Sequence, residues 1–196
     1  MESLRSRQIR NFFAVTLLSL GIPMLLMGDE VRRSQHGNNN TYGMDNAANW
    51  FDWTLLEQHA DLHRFVKLMI SRRLLRDLHS EQQRTSLNIM IRDATKAWHG
   101  IRLNNPDWGE NSHSIGLTIK LNRENTWLHL ILNSYWQPLD FELPLIGANT
   151  VTSWRRWLDT SLASPNDIVP WEMAPSHRGN TYAAAERSVV VLYTTG

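Results

Sequence analysis

The chain has 196 residues, a formal net charge of +1, 42% hydrophobic side chains and no cysteine. Such a length allows one domain, or a small domain joined to part of another. Near-neutral charge without a basic block gives no reason to expect a nucleic-acid partner, and the missing thiols exclude disulfides and thiolate metal sites, which is compatible with a reducing, cytoplasmic setting. Nine tryptophans are many for this length. They admit two readings: core packing in a β domain, or indole faces open for stacking against sugar rings.

In chain order, residues 4–20 read as a helix, with Ile9, Phe12, Phe13, Thr16, Leu17 and Leu20 at helical spacing. Gly21 and Pro23 stop it. They also interrupt the apolar stretch Asn11 to Gly28, which has no small-residue cleavage site after it, so neither a leader nor a membrane anchor is expected. The run Pro23–Met27 predicts a short strand buried on both faces, as in a parallel sheet. Residues 29–53 form a long Asn-, Gly- and Asp-rich loop, and its aromatic residues argue for order. Thr54-Leu-Leu-Glu57 predicts a capping box opening a second helix that runs to about Leu78. Leu62, Phe65, Val66, Met69, Ile70 and Leu74 draw its buried stripe, and Arg72, Arg73 and Arg76 suit its C-terminal dipole.

Beyond about residue 85 the apolar period becomes two, in Ile115 to Leu121, Leu128 to Leu132 and Val189 to Tyr193. Turn signals separate these runs at Asn104–Asp107, Asn122–Asn125, Gly147–Asn149 and Gly179-Asn180. Several short strands so spaced predict an antiparallel sandwich. The chain as a whole is therefore expected to be α+β, with its boundary inside residues 80–92.

The stretch Gly21-Ile-Pro-Met-Leu-Leu-Met-Gly-Asp-Glu30, the loop Asn38-Asn-Asn-Thr-Tyr42 with Asp45-Asn46, and Trp50-Phe-Asp-Trp53 resemble the α-amylase family of glycoside hydrolases. Within it, the loop is most similar to glycogen debranching enzymes and isoamylases. Trp98-His-Gly, Asn105-Pro-Asp-Trp108, Ser112-His-Ser114, Asn133-Ser-Tyr-Trp136, Phe141-Glu-Leu-Pro144 and Asp159-Thr160 resemble the C-terminal domain of the same enzymes.

The resemblance implies that residues 1–82 are the terminal helix-strand-helix piece of a (β/α)8 barrel, and that residues 83–196 are a C-terminal β-sandwich domain. It implies branched α-glucan such as glycogen as substrate, no cofactor, and a complementary N-terminal barrel chain as partner. The family's nucleophilic Asp, acid Glu and stabilising Asp follow the fourth, fifth and seventh barrel strands, whose motifs this chain lacks. Retaining hydrolysis needs two carboxyl groups about 5–5.5 Å apart, so no catalytic residue is assigned and inactivity of the chain alone is expected. A lone eighth strand would have two open edges, so the isolated chain is expected to aggregate or to pair with that partner.

Asp29 and Glu30 are adjacent and would point to opposite faces of a strand, so they cannot flank one bond from the same side. Two roles stay open for the loop carboxylates. They hydrogen-bond loop backbone, or Asp29, Asn38, Asn39, Asn40, Tyr42 and Asp45 shape a substrate cleft, since amide side chains offer sugar hydroxyls both donors and an acceptor. His59 and His63 have zinc-compatible spacing, but position 60 is Ala rather than the Glu of the zinc-protease motif, so no metal site is expected.

Overall fold

The structure is a computed structural model and describes residues 1–19, 21–82, 94–121, 125–147 and 153–195, without the side chains of 75–82. Helix α1 (Glu2–Leu18) leads through an irregular segment and a 3-10 turn (Asp29–Val31) into the long loop. A single-turn helix α2 (Leu55–Gln58) and the long helix α3 (Ala60–Gln82) follow. The strands are β1 (Thr95–His99), β2 (Ser114–Leu121), β3 (Thr126–Asn133), β4 (Leu139–Glu142), β5 (Trp154–Asp159), β6 (Ser176–His177), β7 (Thr181–Ala184) and β8 (Ser188–Thr195). Six of them form one sheet in the order β1-β2-β3-β8-β5-β6, and β4 pairs with β7 in a second sheet. Every pairing is antiparallel.

The expected sandwich is present, and the large sheet is covered on its other face as well. Strand β8 explains how. Its Val189, Val191 and Tyr193 join Phe13, Leu17, Phe65 and Met69 in a core between the sheet and α1 and α3. The alternate residues Val190 and Leu192 join Phe141, Tyr182 and Trp154 in a second core beneath the small sheet. The continuous apolar run from Val189 to Tyr193 can serve two cores because successive side chains leave on opposite faces. The stripe of α3 is buried as predicted through Met69, whereas Leu74 is exposed. Burying each of Leu62, Phe65, Val66 and Met69 contributes about 1.5–3 kcal/mol.

Polar ties reinforce the helix-to-sheet contact. Arg7 donates to Glu186 at 2.8 Å, and Asn11 donates to the Arg187 carbonyl at 2.9 Å. Asp167, fully buried, receives Arg64 of α3 and lies 3.7 Å from Arg10 of α1. Arg73 of α3 donates to the carbonyls of Leu17 and Ser19 at 2.9 and 2.7 Å, so it satisfies acceptors left open at the end of α1.

Four local expectations are corrected. Pro23–Met27 is irregular, not a strand, and Met24, Leu26 and Met27 are exposed. A strand is held by hydrogen bonds to neighbours, and among the described residues no strand pairs with this segment. Asp29 and Glu30 accordingly open a 3-10 turn instead of ending a strand. The capping box does not form: the Thr54 hydroxyl donates to Asp52 at 2.7 Å and gives α2 no side-chain cap. Arg73 caps α1, and Arg72 lies 4.1 Å over the Trp171 ring, so neither simply complements the dipole of α3. The turns at Asn122–Asn125 and Gly147–Asn149 fall largely outside the described residues, as do residues 83–93 and the Arg76 side chain.

Candidate substrate cleft and its Asn-rich loop

The loop begins at Gly28, whose φ of +99° lies in the left-handed region. A Cβ there would sit 2.7 Å from Arg33 Cβ, so both conformation and space call for glycine. Glu30 folds back to accept the Gly28 N–H at 2.9 Å.

From Gln35 onward the loop is held by its own amide side chains. Asn38 accepts the Asn40 N–H at 2.9 Å, Asn40 accepts the Tyr42 N–H at 3.3 Å, and Asn46 accepts the Ala48 N–H at 3.1 Å. Such side chain-to-backbone bonds two residues on are the Asx turns that Asn favours in loops. Asn49 is the hub. Its side-chain amide donates to the Met44 carbonyl at 3.0 Å, and its oxygen accepts from the Thr41 hydroxyl at 3.2 Å. Arg33 donates to the Asn49 carbonyl at 2.9 Å and to its side-chain oxygen at 3.2 Å. Thr41, at the centre of this network, is buried.

Of the six residues singled out, five lie in the part of this loop held by its amides, from Gln35 onward. Asn38 and Asn40 spend side-chain oxygens on the turns, yet Asn39, Asn40 and Tyr42 are exposed, Tyr42 almost fully. Asp45 is exposed and accepts the Trp50 indole N–H at 2.8 Å. Asp29 stands apart. It lines a cleft of about 500 Å3 with Phe12, Met24 and Arg32, and among the described residues no hydrogen bond joins it to Asp45. The hydroxyl and N–H of Thr54 hold the Asp52 carboxyl below its ordinary range. Arg32, hydrogen-bonded to Glu2, does the same for that carboxyl. The organising pair Arg33 and Asn49 escaped the sequence reading. Asn49 looked like one more amide in an amide-rich loop, and only the fold brings Arg33 beside it.

Among the described residues, no group of three His, Asp or Glu side chains gathers as a metal site, and no helix is long and apolar enough to cross a membrane.

This layered arrangement of helices, six-stranded sheet and small sheet is the fold found at TM-score 0.70 in type I pullulanase from Bacillus subtilis, at 18% identity, over 100% of this chain and 24% of that one. Residues 97–192 match the family model described as "Isoamylase 1-3, C-terminal". The chain is 37% identical over 193 residues to "Isoamylase 3, chloroplastic" of Oryza sativa subsp. japonica, which is 97% of this chain and 23% of that protein. It is also 46% identical over 65 residues to the "Glycogen operon protein GlgX homolog" of Mycobacterium tuberculosis, 33% of this chain and 9% of that protein. Residues 97–192 are an isoamylase-type C-terminal domain, and the chain's relatives are isoamylases and GlgX homologues. The chain spans about a fifth to a quarter of the length of the isoamylases it matches.

Proposed function

We propose that this chain is the C-terminal portion of a debranching enzyme that hydrolyses α-1,6 branch linkages in glycogen, working in the cytoplasm. In this reading residues 1–82 complete a (β/α)8 barrel with its last strand, loop and helix, and residues 83–196 form the C-terminal domain that packs against them. The observation that supports it most is the run Ile22–Met27. It holds five large apolar side chains, all exposed. A barrel strand stripped of its neighbours leaves such a surface, because those neighbours supply both its hydrogen bonds and its cover. Loops at the C-terminal ends of barrel strands line the active site. The Asn-rich loop follows this segment directly, and Asn38, Asn39, Asn40, Tyr42 and Asp45 thereby form one wall of the substrate cleft, while Asp29 lines the separate cleft against α1.

The wall binds and does not break bonds. Glu30, Asp45 and Asp52 already accept hydrogen bonds from Gly28, Trp50 and Thr54. The nucleophile, acid and stabilising carboxylates come from a complementary N-terminal barrel segment. The test is reducing-end release from glycogen. The chain alone gives none, and co-expression with a barrel segment supplying the three carboxylates restores it. Hydrolysis by the chain alone, or failure of the assembled protein to cleave α-1,6 linkages, overturns the reading. A non-catalytic glucan-binding module is the second reading, favoured by the exposed indoles of Trp98, Trp108 and Trp136.

A further inference from the structure

We propose that the large sheet carries a second, non-catalytic site for a linear α-glucan, built at the end of β2 and β3 with Trp108 and Trp136 as stacking platforms. The choice of α-linked glucose as ligand rests on the debranching reading; the site itself rests on its own geometry. A cleft of about 400 Å3 opens between the loop before β2 and the turn after β3, lined by Trp108, Ser112, His113 and Ser134. Trp108 is part of the lining, and Trp136 stands next to His113, another lining residue. Trp108 is 66% exposed and meets Trp98 edge to face at 5.6 Å. The His113 ring lies 5.7 Å from Trp136, which is 56% exposed and rests against Tyr135 at 4.0 Å. Large aromatics are normally mostly buried, so a cluster of open ones around a polar cleft marks a binding surface.

The polar lining suits a neutral, hydroxyl-rich ligand. His113 Nδ1 donates to the Asn111 carbonyl at 2.5 Å, which engages that nitrogen and leaves Nε2 for a hydroxyl. No lysine or arginine is in the lining and Asp107 adds a carboxylate, so the cleft disfavours a phosphate or an acidic peptide. Indole faces take the C–H face of a pyranose, and the imidazole and serine hydroxyls take its rim. The frame is stiff. The Ser134 N–H donates to the His113 carbonyl at 2.8 Å, and Asp107 accepts the Gly109 N–H at 2.9 Å. Gly100 lets the Trp108 loop approach so closely that a Cβ there would sit 2.4 Å from the Asn105 carbonyl oxygen. A preformed surface loses little freedom on binding.

The experiment is titration of the full chain with maltoheptaose by calorimetry, with native electrophoresis through amylose-containing gels beside it. Wild type binds saturably and is retarded. Trp108→Ala and Trp136→Ala each weaken binding about tenfold, the scale of losing one well-packed aromatic contact. Both side chains are exposed, and circular dichroism checks that the fold is kept. The proposal is overturned if wild type shows no saturable binding, if both variants bind like wild type, or if Trp53→Ala abolishes binding while they do not. Maltoheptaose has no branch, so the result is independent of debranching. Lost binding in Trp108→Ala with no α-1,6 hydrolysis by the assembled enzyme keeps the site and fails the debranching reading. Hydrolysis with unchanged glycogen KM in Trp108→Ala does the reverse.

Discussion

Replacing Asp167 by Asn tests whether one buried carboxylate fastens the two helices to the sheet. Asp167 is fully buried and shares its carboxylate between Arg64 of α3 and Arg10 of α1, whose side chains are 30% and 10% exposed. The amide keeps the shape and can still accept the Ile168 N–H, which Asp167 now accepts at 2.9 Å. What it removes is the negative charge facing two guanidinium groups. Deleting one partner of a buried pair costs roughly 3–5 kcal/mol, because the other charge is left without compensation. Arg10 keeps a 3.2 Å bond to the Thr160 carbonyl and Arg64 keeps the Ile168 carbonyl at 2.8 Å, so the low end, about 3 kcal/mol, is expected. For a chain of this size that lowers Tm by about 6–12 °C. Differential scanning fluorimetry reads it, and because the pair is buried the shift persists in high salt. A loss below about 2 °C refutes the reasoning and means that the guanidinium groups are solvated enough to stand alone.

Phe65→Ala empties a fully buried position between α3 and the sheet and is expected to cost about 3–5 kcal/mol in urea unfolding; a cost under about 1 kcal/mol contradicts the two-core description. Burial holds the His129 imidazole down to about 3, with His99 beside it adding to the effect, and burial also lowers His99. Both imidazoles are thus neutral when folded, while the unfolded chain takes up protons below about pH 6.5. Stability is then complete above about pH 6.5 and falls as pH drops from there toward 3, by up to about 1.4 kcal/mol per pH unit from His129, with His99 acting in the same direction. A thermal midpoint unchanged between neutral pH and mild acid, or an unchanged pH profile in His129→Gln, rejects this. Asn49→Ala removes the hub of the loop. Cleavage of residues 36–50 by added protease is expected to accelerate while Tm holds, and an unchanged cleavage rate disproves the hub. Met24→Glu with Leu26→Glu places charge on the exposed apolar run, and light scattering is expected to show less self-association of the isolated chain; equal association means that another surface drives it.

The local regularities were legible before any coordinates. The stripe of α3, the alternation along β2 and β3 and the Asn-rich loop all follow from side-chain period and turn chemistry, and these act between near neighbours in the chain. The limits have the same origin. Pro23–Met27 has the composition of a buried strand but adopts none, because pairing depends on a neighbour that its own residues cannot provide. Thr54 and Asp52 compete for the same local bonds, and which one wins is settled by small differences in loop geometry. Asp29 and Asp45 looked equally available, yet the fold sends Asp29 to a cleft against α1 and gives Asp45 an indole N–H.

The sequence by itself pointed to the isoamylase-type resemblance, to the two long helices and to the strands within residues 115–121, 128–132 and 189–193. Only the tertiary structure decided that α1 and α3 share a core with the large sheet, that Asp167 sits between Arg10 and Arg64, and that Trp108 and His113 line one cleft with Trp98 and Trp136 against them. Period and composition report which face of an element is apolar. Which distant groups meet across 100 residues or more, as Arg64 and Asp167 do over a separation of 103, depends on how the layers pack.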